Sequence, residues 1–143
     1  MSPEEIKALI NRLFDASNKS LAAYFAIVDE TFAPDYVQHP VVGGDIHGVK
    51  DIKKFVSDSY AAFSNPQRTI DDIIVEGDKA ALRFTMTATH TGAFMGIPPT
   101  NKKITLWGIE INRFADGKLA ETWARMDTLG MMQQLGVVPT PKK

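Results

Sequence analysis

Two long stretches of alternation between apolar and polar positions dominate the chain. From Lys79 to His90, Leu82, Phe84, Met86, Ala88 and His90 share one parity, and Ala81, Arg83, Thr85, Thr87 and Thr89 share the other. In the second stretch Thr105, Trp107, Ile109, Ile111 and Arg113 stand opposite Ile104, Leu106, Gly108, Glu110 and Asn112. Period-two patterns rich in Thr, Ile, Phe and Trp predict half-buried strands. Gly92, Gly96 and the Pro98-Pro99 pair forbid regular structure between them, so the two runs are read as one hairpin with a long loop. Ordinary hairpin loops take about 2–5 residues. A longer one carrying Phe94, Met95 and Ile97 is expected to close as a lid over an apolar pocket.

Ahead of this hairpin the periodicity is helical. Ser2-Pro3-Glu4-Glu5 has the form of a helix start, with Ser2 as N-cap, Pro3 in the first turn and Glu5 closing a capping box. Ile6, Leu9, Ile10, Leu13 and Phe14 then give one apolar face. After a break at residues 18–20, Leu21, Phe25, Val28 and Phe32 mark a second helix, ended by Pro34. Asp35 to Pro40 reads as short and extended, and a Gly-bearing turn from Val41 to Gly48 leads into a third helix. That helix carries Val49, Ile52, Phe55, Val56, Tyr60 and Phe63 on one side and is expected to stop at Ser64-Asn65-Pro66. From Arg68 the chain reads as β, with turns at Gly77-Asp78 and at Asp116-Gly117, a strong hairpin dipeptide. The last strand is read as Lys118 to Asp127 and a short helix as Thr128 to Leu135, ahead of a PTPKK tail expected to fray. Three helices before an antiparallel meander predict one α+β domain over residues 1–143. The expected shape is a curved antiparallel β-sheet cone, packed with three N-terminal helices and enclosing a pocket, with a short C-terminal helix.

Composition narrows the functional classes. Lys and Arg total 16 against 17 Asp and Glu, a net charge of −1. This argues against a nucleic-acid partner and against electrostatic steering to a membrane. Cysteine is absent, which excludes disulfides, thiolate metal sites and cysteine nucleophiles. The SPEEIK start has no signal-peptide core and no run approaches about 18 apolar residues, so the expected setting is cytoplasmic.

The motifs FAPDYVQHP, IHGVKDIKKF, VEGDKAALR, THTGAFMGIPPTNKK and FADGKLAETWARMDTLGMMQQLG, in this order, resemble the SnoaL-like polyketide cyclases. These are ester cyclases of the nuclear-transport-factor-two-like superfamily. The resemblance runs from about Leu21 to Gly136, and its specific parts are THTGxFxGIPPT and ETWxxxD…QQLG. It implies a small curved-sheet cone, often dimeric, that needs no metal or cofactor. The family's characterised cyclases use an aspartate as general acid/base in an intramolecular aldol ring closure, and the resemblance maps that aspartate onto Asp127. Two departures stand out. Asn101 replaces the usual Gly in PPTG, though Asn tolerates a left-handed backbone. Arg113 stands fourteen positions before Asp127, where the cyclases carry a histidine.

Candidate chemistry follows from the same residues. Glu121, Trp123, Arg125 and Asp127 share a parity on the last strand. Asp127 in an apolar pocket would be a base with a raised pKa; alternatively it N-caps the Thr128 helix, and one residue can do both. His39 could shuttle a proton or bond a substrate carbonyl, or it could hold the 39–48 turn through the backbone. His90 could face the pocket or anchor the Gly92 turn, while His47 reads as a surface residue at a helix start. Arg83 needs a partner, and Glu121 or Asp127 would serve. Trp107, Trp123, Phe94 and Met95 could line a cavity for a flat or apolar ligand, or pack as core. No metal site is expected, because three histidines lack Asp or Glu at ligand spacing.

The leading expectation is therefore a cofactor-independent acid/base enzyme acting on a small apolar carbonyl compound. Its site would hold Asp127, His39 and His90 as catalytic groups, with Arg83, Trp107, Glu121, Trp123, Phe94 and Met95 binding the substrate. A ligand-binding domain without catalysis, or a dimerisation module of the same fold, is the alternative. A homodimer is expected in either case. If the Trp107 parity lines the pocket, Leu82, Phe84, Met86, Ile104 and Leu106 form the outer, dimer-forming face.

Overall fold

Ser2 accepts a hydrogen bond from the Glu5 amide at 3.1 Å and starts α1 (Pro3–Lys19), whose apolar face of Ile6, Leu9, Ile10, Leu13 and Phe14 is buried. Ser20 does the same for α2 (Leu21–Thr31), accepting from the Ala23 amide at 3.0 Å. The computed structural model describes residues 1–40 and 43–141; Val41 and Val42 of the expected turn, and the last two residues of the tail, lie outside the described residues.

α2 ends before Pro34, and Phe32 opens β1 (Phe32–His39) instead of closing the helix. Pro34 falls in a break in the pairing of β1, between Phe32 and Val37, where a strand needs no amide donor. β2 (Ile46–His47) and α3 (Gly48–Ala62) follow, with the exposed His47 as the α3 N-cap. α3 also stops earlier than its breaker triplet. Phe63 and Ser64-Asn65-Pro66 belong to β3 (Phe63–Glu76), with Asn65 left-handed at φ 50° where the ladder is interrupted. The triplet therefore bulges a strand rather than capping a helix. β4 (Lys79–His90), β5 (Lys103–Ala115), β6 (Lys118–Met126) and α4 (Thr128–Leu135) complete the chain.

The sheet order is β2-β1-β6-β5-β4-β3, open at both edges. β3 to β6 form the expected antiparallel meander, but β1 lies parallel to β6, so the sheet is mixed. Register breaks in β3, β5 and β1 bend and twist it. The helices pack on one face, and the result is the α+β cone with a pocket. Two apolar clusters fill its concave side. One joins α1, α2 and α3 to Leu82, Phe84, Phe114 and Leu119. The other joins Phe63, Ala88, Ile104 and Leu106 to Met131 and Leu135 of α4. Among the described residues no helix is long and apolar enough to cross a membrane.

Candidate functional site

Register decides which side chains face inward. Met86 pairs with Leu106, Phe84 with Gly108 and Leu82 with Glu110, while Glu110 and Asn112 pair with Ala124 and Thr122 of β6. These residues share the concave face, and most of them line a cavity of about 290 Å³. The opposite parity faces out: Trp107, Ile109 and Ile111 are 54%, 47% and 39% exposed. This reverses the expected orientation. Leu82, Phe84, Ile104 and Leu106 are buried inside and do not form an outer face.

The cavity is mostly apolar, with aromatic walls from Phe14, Phe32 and Phe84, and its polar groups are few and ordered. Thr122 Oγ1 donates to Asn112 Oδ1 at 2.7 Å, and Asn112 Nδ2 donates to Glu110 Oε1 at 3.2 Å. This chain holds the Glu110 carboxylate by one oxygen and leaves Oε2 without a protein donor among the described residues. Tyr36, 1% exposed, donates to Gln38 Oε1 at 2.8 Å. Burial pushes the Tyr24 hydroxyl up to about 12 and the Tyr36 hydroxyl well above its ordinary value. Both phenols are therefore proton-bearing donors at neutral pH. Arg68 lines the same cavity, its guanidinium 4.0 Å from the centre of the Phe14 ring, with Nε and Nη2 donating to Ser17 Oγ at 3.3 and 3.2 Å.

Of the residues singled out from the sequence, Phe94 lines the cavity, meeting Phe63 edge-on at 5.0 Å. Its neighbour Met95 is 58% exposed. Asp127 lies outside the cavity lining: its Oδ1 accepts from the Gly130 amide at 2.9 Å and caps α4. Arg83 is exposed on the outer face, and its nearest carboxylate is Asp71 at 3.9 Å, rather than Glu121 or Asp127. Trp107 is on that face too.

His39, Glu121 and Trp123 do come together, on the convex side beside Arg113. His39 Nε2 lies 2.7 Å from Glu121 Oε2, Nδ1 lies 2.9 Å from Asp45 Oδ1, and Arg113 Nε donates to Glu121 Oε1 at 3.2 Å. The Trp123 ring stacks on the imidazole at 5.4 Å. The Glu121 and Asp45 carboxylates raise the His39 pKa, and His39, with Arg113, lowers that of Glu121. This cluster ties strands together and lies outside the cavity lining.

His90 is fully buried beside Phe63, accepts from the Thr100 amide at 3.2 Å through Nδ1, and leaves Nε2 without a partner among the described residues. It anchors the long loop: its amide and carbonyl bond Lys102 and Asn101, and Asn101 is left-handed at φ 57°. Among the described residues no group of three or more His, Asp or Glu is placed to hold a metal. Glu110, Asn112 and Arg68 were missed from the sequence. The signal for the first two was their parity with Leu106, and through it their register with Met86.

Comparison with known proteins agrees with this fold. The family model for SnoaL-like polyketide cyclases matches residues 9–135. Nogalonic acid methyl ester cyclase of Streptomyces nogalater is 29% identical over 112 residues, 76% of this chain and 83% of its own. Among solved structures, AclR, a hydroxylase candidate from Streptomyces galilaeus, is 31% identical with a TM-score of 0.83, over 99% of this chain and 87% of its own. IdmH, a candidate polyketide cyclase from Streptomyces antibioticus, is 28% identical with a TM-score of 0.77, over 92% and 98%. A SnoaL-like protein from Jannaschia sp. CCS1 is 21% identical and superposes with a TM-score of 0.86 over 97% and 98%, a likeness of fold.

Proposed function

The chain belongs to the SnoaL-like polyketide cyclases, and on that premise we propose acid/base catalysis on a small apolar carbonyl compound held in the cavity, with Glu110 moving the proton. One observation carries the assignment: among the described residues Glu110 is the sole carboxylate lining the cavity. Its Oε1 is engaged by Asn112 and its Oε2 is free to meet substrate. A base must reach the proton it abstracts, and we rank Glu110 above Asp127 because Glu110 lines the cavity whereas Asp127, the N-cap of α4, lies outside its lining.

In an intramolecular aldol closure Glu110 Oε2 takes a proton from the carbon beside one carbonyl. The enolate carbon attacks a second carbonyl of the same molecule, a C–C bond forms, and the new alkoxide takes the proton back. No electrons leave the substrate and the product is its isomer, so the reading calls for no cofactor. Tyr24 supplies its hydroxyl hydrogen to the developing oxyanion, and Tyr36, whose hydrogen is donated to Gln38 Oε1, joins it only by releasing that bond. Both hydroxyls stay protonated as the charge forms, because burial has raised their pKa values.

The test uses 2-tetralone in D2O, with exchange of its α-hydrogens followed by NMR. The native protein is expected to accelerate exchange, and Glu110→Gln to return it to the buffer rate with an unchanged melting curve. Full exchange in Glu110→Gln removes Glu110 from the mechanism. Binding of the ketone without exchange in the native protein supports a ligand-binding domain instead. A product heavier by one oxygen would move the reading toward the hydroxylation that the name of AclR suggests.

A further inference from the structure

Arg68 is the one cation among the described residues that line the cavity, and among the described residues no carboxylate lies within ion-pair distance of it. Its plane is fixed by Phe14 at 4.0 Å and Phe84 at 5.9 Å. Two of its five N–H groups are used, both on the neutral hydroxyl of Ser17. A half-buried guanidinium against aromatic faces gains most from a planar anion, which its fork can bind through two parallel hydrogen bonds.

Glu110 does not fill that role. Arg68 pairs with Met86 across β3 and β4, whereas Glu110 pairs with Leu82 across β4 and β5. Their backbone positions are four residues apart along β4, about 13 Å at strand rise, and the Arg68 guanidinium spans part of that distance, reaching to 5.9 Å from the Phe84 ring. The cavity therefore has a cationic level and a carboxylate level, with the aromatic walls of Phe14 and Phe84 between apolar neighbours. At about 290 Å³ it sits at the lower edge of the roughly 300–1,000 Å³ of small-molecule sites.

We propose that the substrate of this cavity is a mono- or bicyclic aromatic compound carrying a free carboxylate, which Arg68 binds while the reacting carbonyl faces Glu110. This deepens the acid/base reading and rests on it for the use of the cavity as the substrate site. It separates an acid from its own ester, because an ester has no charge for the guanidinium and offers it no matched pair of oxygens.

Calorimetry with 2-naphthoate and methyl 2-naphthoate tests the assignment. The native protein is expected to bind the acid at least about tenfold more tightly than the ester, as a charge-assisted bond predicts. Arg68→Met, which keeps length and contact with Phe14, is expected to weaken acid binding about ten- to a hundredfold and to leave ester affinity within about threefold. Arg68→Lys is expected to recover part of the preference. Equal affinity for acid and ester in the native protein overturns the proposal, and so does an Arg68→Met variant that loses both alike, since Arg68 would then be packing alone. Glu110→Gln keeps the two readings apart. It should bind the acid at least as tightly as the native protein while failing to exchange 2-tetralone. If the native protein shows the acid preference but no exchange, the acid/base reading fails and the head-group assignment stands.

Discussion

His39 Nε2 stands 2.7 Å from Glu121 Oε2, and this contact fastens β1 to β6 at the end of their parallel pairing. Asp45 adds a second carboxylate to the same ring. His39 has its pKa raised above 6.5 in the fold, so its contribution is complete below 6.5 and is lost as pH climbs through the raised value. Glu121 is lowered from 4.5, so its contribution is complete above 4.5 and is lost as pH falls through the lowered value. Both hold between the two. His39→Gln is therefore expected to lower the melting temperature most between pH 4.5 and 6.5 and least once the pH has passed the raised His39 value. Melting curves across that range check it; a pH-independent deficit would show that the ring acts through packing on Trp123.

Asp127→Ala is expected to cost about 1 kcal/mol, within the range of roughly 0.5–2 kcal/mol for a lost N-cap, and to leave exchange activity in place. Asp127→Ser, which can still accept from the Gly130 amide, should restore most of the stability. Urea unfolding of the two variants beside Glu110→Gln separates a capping carboxylate from a reacting one.

The loop after β4 is seated by backbone contact. The Gly92 amide donates to Ala62 O at 3.0 Å, and a β-carbon at this position would stand 2.1 Å from Ala61 O. Because backbone rather than a movable side chain is in the way, Gly92→Ala is expected to destabilise by at least ~2 kcal/mol. Denaturant unfolding measures this directly. A loss under ~0.5 kcal/mol would mean that the loop and the end of α3 part easily.

The convex face carries Trp107, Ile109 and Ile111 in the open, with Arg113 and Glu121 beside them. Apolar area of both large and β-branched kinds, flanked by charges of both signs, suits a second copy of the same surface. Sedimentation is expected to show a dimer, and Trp107→Glu to shift it toward the 15.8 kDa chain. A native protein that sediments at 15.8 kDa alone at micromolar concentration removes the dimer.

Much of the fold was legible because its signals are local. Ser2 and Ser20 precede apolar helical faces, the Lys79–His90 strand alternates without interruption, and Asp116-Gly117 turns a hairpin. The parallel partnership of β1 with β6 was not legible, because it depends on residues far apart in the chain and has no short-range pattern. The inward face of β5 was misread for a more instructive reason. Both faces of β5 are half apolar, and the one with Trp107, Ile109 and Ile111 looks more like core than the one with Gly108, Glu110 and Asn112. A pocket that must hold polar groups inside, on a sheet that exposes apolar residues outside, inverts the usual rule that the greasier face is buried. Arg68 was passed over because a lone arginine at a strand start reads as solvent-facing until its stacking on Phe14 is seen.

The parallel seam also sets a timetable for folding. β3 to β6 can zip as successive hairpins, each closing a modest loop. β1 cannot, since His39 and Glu121 are 82 positions apart and, among the described residues, β1 neighbours only β6 and the two-residue β2. On a ribosome α1 can seat on β3 and β4 as they emerge, but β1 stays unpaired with the meander until β6 follows, so the cone closes last. Truncation ahead of β6 should therefore leave a chain that collapses without gaining a cavity, and the interval before β6 emerges is when a holding chaperone would have its longest access to this protein.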